Sequence, residues 1–194
     1  MKRRVFVMGL GATAVLPQSA VALTEASAKQ LIDNLVRDIN KVIASGKSES
    51  AMIRDFERIF KRYSDTAYIS AYAMGVDGRR ASSSQKRAFS KAFQSYIANK
   101  YGRRFREFIG ASLEVRGVKQ VKKWFEVSTV AKLKGQAPFE VTFHVSNRAG
   151  KDLFFNMFIE GINLLLTERN EVGALLDRNG GDIDKMIAEL QRLS

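Results

Sequence analysis

Trp124-Phe125-Glu126-Val127-Ser128-Thr129-Val130-Ala131-Lys132-Leu133 and Phe139-Glu140-Val141-Thr142-Phe143-His144-Val145-Ser146 change the rhythm of the chain. Before Gly110 apolar residues recur every three or four positions; here they recur at every second one. A period of two sends alternate side chains to opposite faces of an extended strand. Phe125, Val127, Ala131 and Leu133 therefore share a face, as do Phe139, Val141, Phe143 and Val145. Leu113 to Val118 and Leu153 to Ile159 read as two further strands, with connections short enough for antiparallel hairpins. The last of these is apolar on both faces, as a central strand needs when helices cover one side and apolar groups meet the other.

Toward the N-terminus, Ala28, Leu31, Ile32, Leu35, Val36, Ile39, Val42 and Ile43 keep helical spacing between Thr24 and Ser45, and Gly46 ends that helix. A second helix, Glu49 to Tyr63, turns Met52, Phe56, Ile59 and Phe60 inward and Arg54, Arg58, Lys61 and Arg62 outward. Asp65 can cap a third, ended near Gly75. After the turn Asp77-Gly78-Arg79-Arg80, Ser82 and Gln85 form a capping box for a long helix to about Phe108. Phe89, Phe93, Tyr96, Ile97, Tyr101, Phe105 and Phe108 run down it, drifting sideways because their spacing is nearer four than 3.6. Two closing helices, Asn163 to Arg178 and Asp182 to Leu193, flank Asn179-Gly180-Gly181. Helices gathered before and after a run of about four strands define the α+β class.

The first 22 residues obey another rule. Lys2, Arg3 and Arg4 precede an uncharged stretch from Val5 to Leu16, and Ala20-Val21-Ala22 offers a small-x-small cleavage site. We expect a signal peptide over 1–22, export to the periplasm and a single domain over 23–194. Arg3-Arg4-Val5-Phe6 also resembles a twin-arginine export motif. Removing the segment lowers the formal charge from +12 to +9. With no cysteine in the chain, packing alone must hold the fold.

Little in the sequence favours catalysis. His144 is the only histidine, and alternation with Phe143 and Val145 puts it on the outer, solvated face of a strand. A lone histidine without cysteines or a carboxylate cluster is no transition-metal site, and we expect no metal and no cofactor. There is no nucleophile elbow and no Walker loop. Basic residues cluster at Arg54 to Arg62, Arg79-Arg80, Lys86-Arg87, Arg103-Arg104-Arg106 and Lys119 to Lys123. Their spread and the expected export argue against nucleic acid and for anionic lipid headgroups or acidic docking surfaces.

Particular residues resemble the MlaC (toluene-tolerance) family across nearly the whole mature chain. Ser84-Gln85 followed by Phe89, Phe93, Ile97 and Tyr101 is similar to the family's Gln-containing helix. Ile159-Glu160-Gly161-Ile162-Asn163-Leu164, with Arg169 behind it, is similar to its strand ending in Ile-Glu-Gly-Val-Ser-Leu and the helix that follows; Gly181 to Ile187 fits its closing helix. Asp152 and Asn156 stand where the family usually has Trp and Asp, and Asn163 where it has Ser. The resemblance implies a curved antiparallel sheet wrapped by helices, like the cone of cystatin-like and nuclear-transport-factor-like proteins. It implies a monomeric carrier, not an enzyme, that ferries glycerophospholipids between an outer-membrane lipoprotein complex and an inner-membrane ABC transporter.

Exposing the roughly 30 methylenes of a diacyl lipid costs on the order of 25 kcal/mol, at about 0.8 per CH₂, so a soluble carrier must enclose the chains. The expected pocket residues are Phe60, Tyr72, Phe89, Phe93, Ile97, Tyr101 and Phe105 from the helices and Phe125, Val127, Phe143, Val145, Met157 and Ile159 from the sheet. Two alternatives compete. An exported enzyme with a cone-shaped pocket would use a buried carboxylate, with Glu160 or Asp152 as first suspects. A cationic adaptor with a solid core would hold no cavity.

Overall fold

A computed structural model of the chain describes residues 22–103 and 111–194. The expected signal segment up to Val21, and Arg104, Phe105, Arg106 and Phe108, lie outside these residues.

α1 (Glu25–Ile43) begins at Thr24, whose hydroxyl accepts from the Ser27 amide while the Ser27 hydroxyl accepts from the Thr24 amide. α2 (Glu49–Tyr63) and α3 (Thr66–Met74) follow, the latter capped by Asp65. A short 3-10 turn, Gly75–Arg79, leads to α4 (Ser83–Gly102), which starts at the Ser82/Gln85 capping box. The chain then forms an antiparallel meander of β1 (Ser112–Val121), β2 (Trp124–Lys132), β3 (Phe139–Ser146), β4 (Leu153–Ile159) and the two-residue β5 (Ile162–Asn163), in that spatial order. α5 (Leu164–Arg178) and α6 (Ile183–Arg192) close it, capped by Asn163 and Asp182. Among the described residues no helix is long and apolar enough to cross a membrane.

α1 lies across β1, β2 and β3, while α2, α3 and α6 pack on α4 and α3 packs on α5. The α2–α4 contact is close: a Cβ built on Gly102 would stand 2.9 Å from Ile53 Cγ1.

A register shift explains why β4 is apolar on both faces. Val145 pairs with Phe154 and His144 with Asn156, leaving Phe155 as an extra residue. Such a bulge bends the strand and re-aims its side chains. The Phe154 ring meets Phe60 at 6.1 Å and Phe143 at 5.6 Å, toward the helices. The Phe155 ring meets Tyr68 at 5.6 Å and Trp124 at 6.1 Å, on the other side. The Asp65 amide donates to the Phe154 carbonyl at 2.8 Å, fastening the α2–α3 corner to β4.

This second aromatic cluster corrects the expectation for His144. Its imidazole is half-buried rather than solvated, 4.8 Å from the Phe158 ring and 5.7 Å from Phe155, because the bulge brings Phe155 onto its face of the sheet. Burial lowers its pKa from 6.5, against the pull of Glu126, whose carboxylate is 3.4 Å away.

Candidate ligand cavity

Between α1 and the sheet the interior does not close. A cavity of about 430 Å³ remains, within the roughly 300–1,000 Å³ range of ligand sites. Leu35, Ile39 and Ile43 of α1 form one wall, and Phe56, Ile59 and Phe60 of α2 another. The floor is Ala131, Val141, Phe143, Met157 and Ile159. Ala131 pairs with Leu113 on one side and Phe139 on the other, so a small side chain stands between two large ones and leaves room. Leu133, Gln136 and Glu160 also line the cavity, which therefore extends to the turns that follow β2 and β4.

The inner face of the sheet is divided. Phe143, Met157 and Ile159, all expected in the pocket, line the cavity, as do Phe60, Ile97 and Tyr101. Phe125, Val127 and Val145 sit farther along the same strands, buried in closed core. The row of aromatics on α4 divides in the same way. Phe89 and Phe93 are stacked with centroids 5.4 Å apart, wholly buried and away from the cavity; only the C-terminal half of the helix reaches it. Tyr72 is elsewhere, with the Arg169 guanidinium carbon 5.3 Å from its ring centroid. Arg169 in turn crowds Gly75, whose φ of +62 already favours glycine. Phe105 lies outside the described residues.

The carboxylate suspects of the enzyme alternative are not buried. Glu160 is exposed with φ +48, beside Gly161 at φ +78, and makes the turn from β4 to β5. Asp152 is half-exposed just before β4. Three described acids are buried, Asp55, Asp65 and Glu168, and of these only Glu168 of α5, 4% exposed, stands on the cavity wall. Leu165, Glu168, Val172 and Leu175 follow a 3-4-3 spacing, so Glu168 occupies a position of the helix's apolar stripe; that spacing was the signal available in the sequence.

Glu168 belongs to a network joining α4 to α5. Its Oε1 accepts from Lys100 Nζ at 2.8 Å and from the Tyr101 hydroxyl at 2.5 Å. Lys100 also donates to Glu171 Oε2 at 2.5 Å, which accepts from the Tyr96 hydroxyl at 2.8 Å. Burial raises the pKa of Glu168 although both donors pull it down. Burial and the neighbouring carboxylates push Tyr96 up to about 12 and raise Tyr101 as well. Lys100 is held protonated because its two carboxylates outweigh the burial that opposes its charge. Asn156 ties β4 to the start of α5, its Oδ1 accepting from the Leu165 amide at 3.3 Å. Among the described residues no group of acids or histidine could hold a metal ion.

Sheet, helices and chamber define an α+β protein in which helices wrap an antiparallel meander over an apolar cavity. The chain belongs to the MlaC family: the family model described as MlaC protein matches residues 29–192. Among solved structures, the phospholipid-binding protein from Ralstonia solanacearum, determined in complex with a phospholipid, shares the fold. Its TM-score is 0.74 at 15% identity, over 86% of this chain and 96% of that one.

Proposed function

We propose that this protein is a periplasmic carrier that encloses the acyl chains of a glycerophospholipid and shuttles it between an outer-membrane lipoprotein complex and an inner-membrane ABC transporter. The observation that carries this is the apolar cavity of about 430 Å³, where close packing is the default. Unfilled apolar space destabilises a fold, so a chamber of this size favours an apolar occupant. Family membership and the fold shared with the phospholipid-bound Ralstonia solanacearum protein support a lipid as that occupant. Export by removal of residues 1–22 and the basic surface belong to the same proposal. Carriage requires no cofactor and no bond-making residue.

Native mass spectrometry of the purified mature protein, with organic extraction of the bound material, tests the proposal. A stoichiometric phospholipid is expected. A protein that stays empty after incubation with phospholipid vesicles would overturn the carrier function.

A further inference from the structure

Gln136 and Glu160, exposed residues of the turns after β2 and β4, mark the mouth of the cavity. The far end is blind, and it falls at one level on helices and sheet alike. On α2 the lining stops between Phe60 and Tyr63, on α4 between Ile97 and Phe93, and on β3 between Phe143 and Val145. Tyr63, Phe93 and Val145 are buried in closed core beyond it. Three rings close this end. Phe154 of β4 stands edge-on to Phe143 at 5.6 Å and tilted to Phe60 at 6.1 Å, so α2, β3 and β4 meet ring to ring. The bulge at Phe155 bends β4 here, and the Asp65 amide holds the Phe154 carbonyl, a backbone bond that any side chain at 154 preserves.

The depth from mouth to blind end matches one acyl chain. From Phe139 to Phe143 β3 rises about 13 Å, and from Ile159 back to Phe154 β4 rises about 16 Å, at roughly 3.3 Å per residue. One leaflet of a bilayer, half of a hydrocarbon core about 30 Å thick, holds its chains within about 15 Å. The terminal methyl of an ordinary chain thus reaches the three rings, and a longer chain must leave methylenes at the mouth, in water. We propose that the Phe60, Phe143 and Phe154 rings are a ruler for acyl-chain length, with Phe154 setting the limit, so that the cargo is a glycerophospholipid whose chains are no longer than those of an ordinary leaflet. This rests on the carrier function and deepens it. Each methylene beyond the limit lowers occupancy about fourfold. Below the limit length matters little, because a methylene passes from one apolar surrounding, the bilayer, to another.

The test is competitive loading of the mature protein from vesicles of phosphatidylethanolamine and phosphatidylglycerol, each carrying in equal parts two myristoleoyl, palmitoleoyl, oleoyl or eicosenoyl chains, read by native mass spectrometry. The wild type is expected to take the eicosenoyl lipids roughly tenfold or more below the palmitoleoyl ones, whichever the headgroup. Phe154→Leu, which shortens the plug, should move that fall to longer chains. Ile97→Phe, which adds a ring at the same end, should move it to shorter ones, and either variant reports if the other does not fold. Phe89→Leu, in closed core away from the cavity, should lose stability and keep the wild-type limit. Loading in vesicle proportion by the wild type, or a limit that neither cavity variant moves, would overturn the inference, as would an equal shift in Phe89→Leu. Failure to load any of these lipids would instead overturn the carrier function itself.

Discussion

The Tyr101 hydroxyl donates to Glu168 Oε1 across 2.5 Å, joining α4 to α5 through residues 67 apart in sequence. Tyr101 thus has two roles: its ring lines the cavity and its oxygen helps satisfy a buried acid. Tyr101→Phe separates them. It keeps the apolar wall and leaves Oε1 to Lys100 alone. A hydrogen bond to a charged group contributes about 1.5–3 kcal/mol, so we expect the unfolding free energy to fall by about that amount, read as a lower denaturant midpoint, with lipid occupancy unchanged. An unchanged midpoint would mean that the hydroxyl contributes nothing to holding α4 against α5.

The division between cavity and closed core predicts two unlike phenotypes. Ala131→Phe grows a ring from the cavity floor between Leu113 and Phe139. We expect a folded protein, destabilised by no more than about 1–3 kcal/mol, whose bound lipid is sharply reduced. Phe93→Ala empties a site that is 0% exposed and should cost about 3–5 kcal/mol while leaving the cavity walls intact. Thermal melts and lipid extraction on the two variants check the contrast; equal lipid loss in both would show that the boundary lies elsewhere.

That boundary is where the sequence becomes illegible. Element types follow from local periodicity, and helices, hairpins and the caps Asp65 and Ser82 were visible in it, whereas β1 runs on to Val121, past the expected Val118, and the two-residue β5 was not expected. The bulge at Phe155 was not, since an extra residue shows only in register with β3, and its consequence was the misplaced His144. Likewise Phe93 and Ile97 are one helical turn apart and equally apolar. Packing closes over Phe93 and leaves Ile97 at the cavity, a difference set by the elements docked on α4 that no spacing within α4 reports. Glu168 was legible in principle, by its place on the apolar stripe of α5.

His144 makes stability depend on pH in a window that few other groups share. Its pKa in the folded state lies below 6.5, so above that value both states hold it neutral and its environment costs nothing. As pH falls through 6.5 the unfolded chain takes up a proton that the folded chain resists, and stability declines until the lower, folded pKa is passed. The raised carboxyl of Glu168 acts with the opposite sign, its ionisation in the unfolded chain lowering stability as pH rises above 4.5. The difference between wild type and His144→Gln isolates the imidazole, because the chain has no second histidine. Denaturant titrations between pH 7.5 and about 5.5 should show the wild type losing stability relative to the variant. Parallel curves would place His144 in contact with solvent.

Gly102 tests the fit of α4 against α2. By helix propensity alone, Gly102→Ala should stabilise by about 1 kcal/mol. In place, the new Cβ would meet Ile53 Cγ1 at 2.9 Å and the Ile53 Cα at 3.4 Å. The side-chain atom can move only by disturbing the packing of the two helices, and the backbone atom cannot yield without shifting α2. We therefore expect net destabilisation of about 1–3 kcal/mol. The pair Gly102→Ala with Ile53→Ala should recover part of it, since the second change removes the clashing Cγ1. A double-mutant cycle read by chemical denaturation gives the coupling directly. Additive effects of the two changes, or a stabilised single variant, would show that α2 and α4 are not in the close contact described.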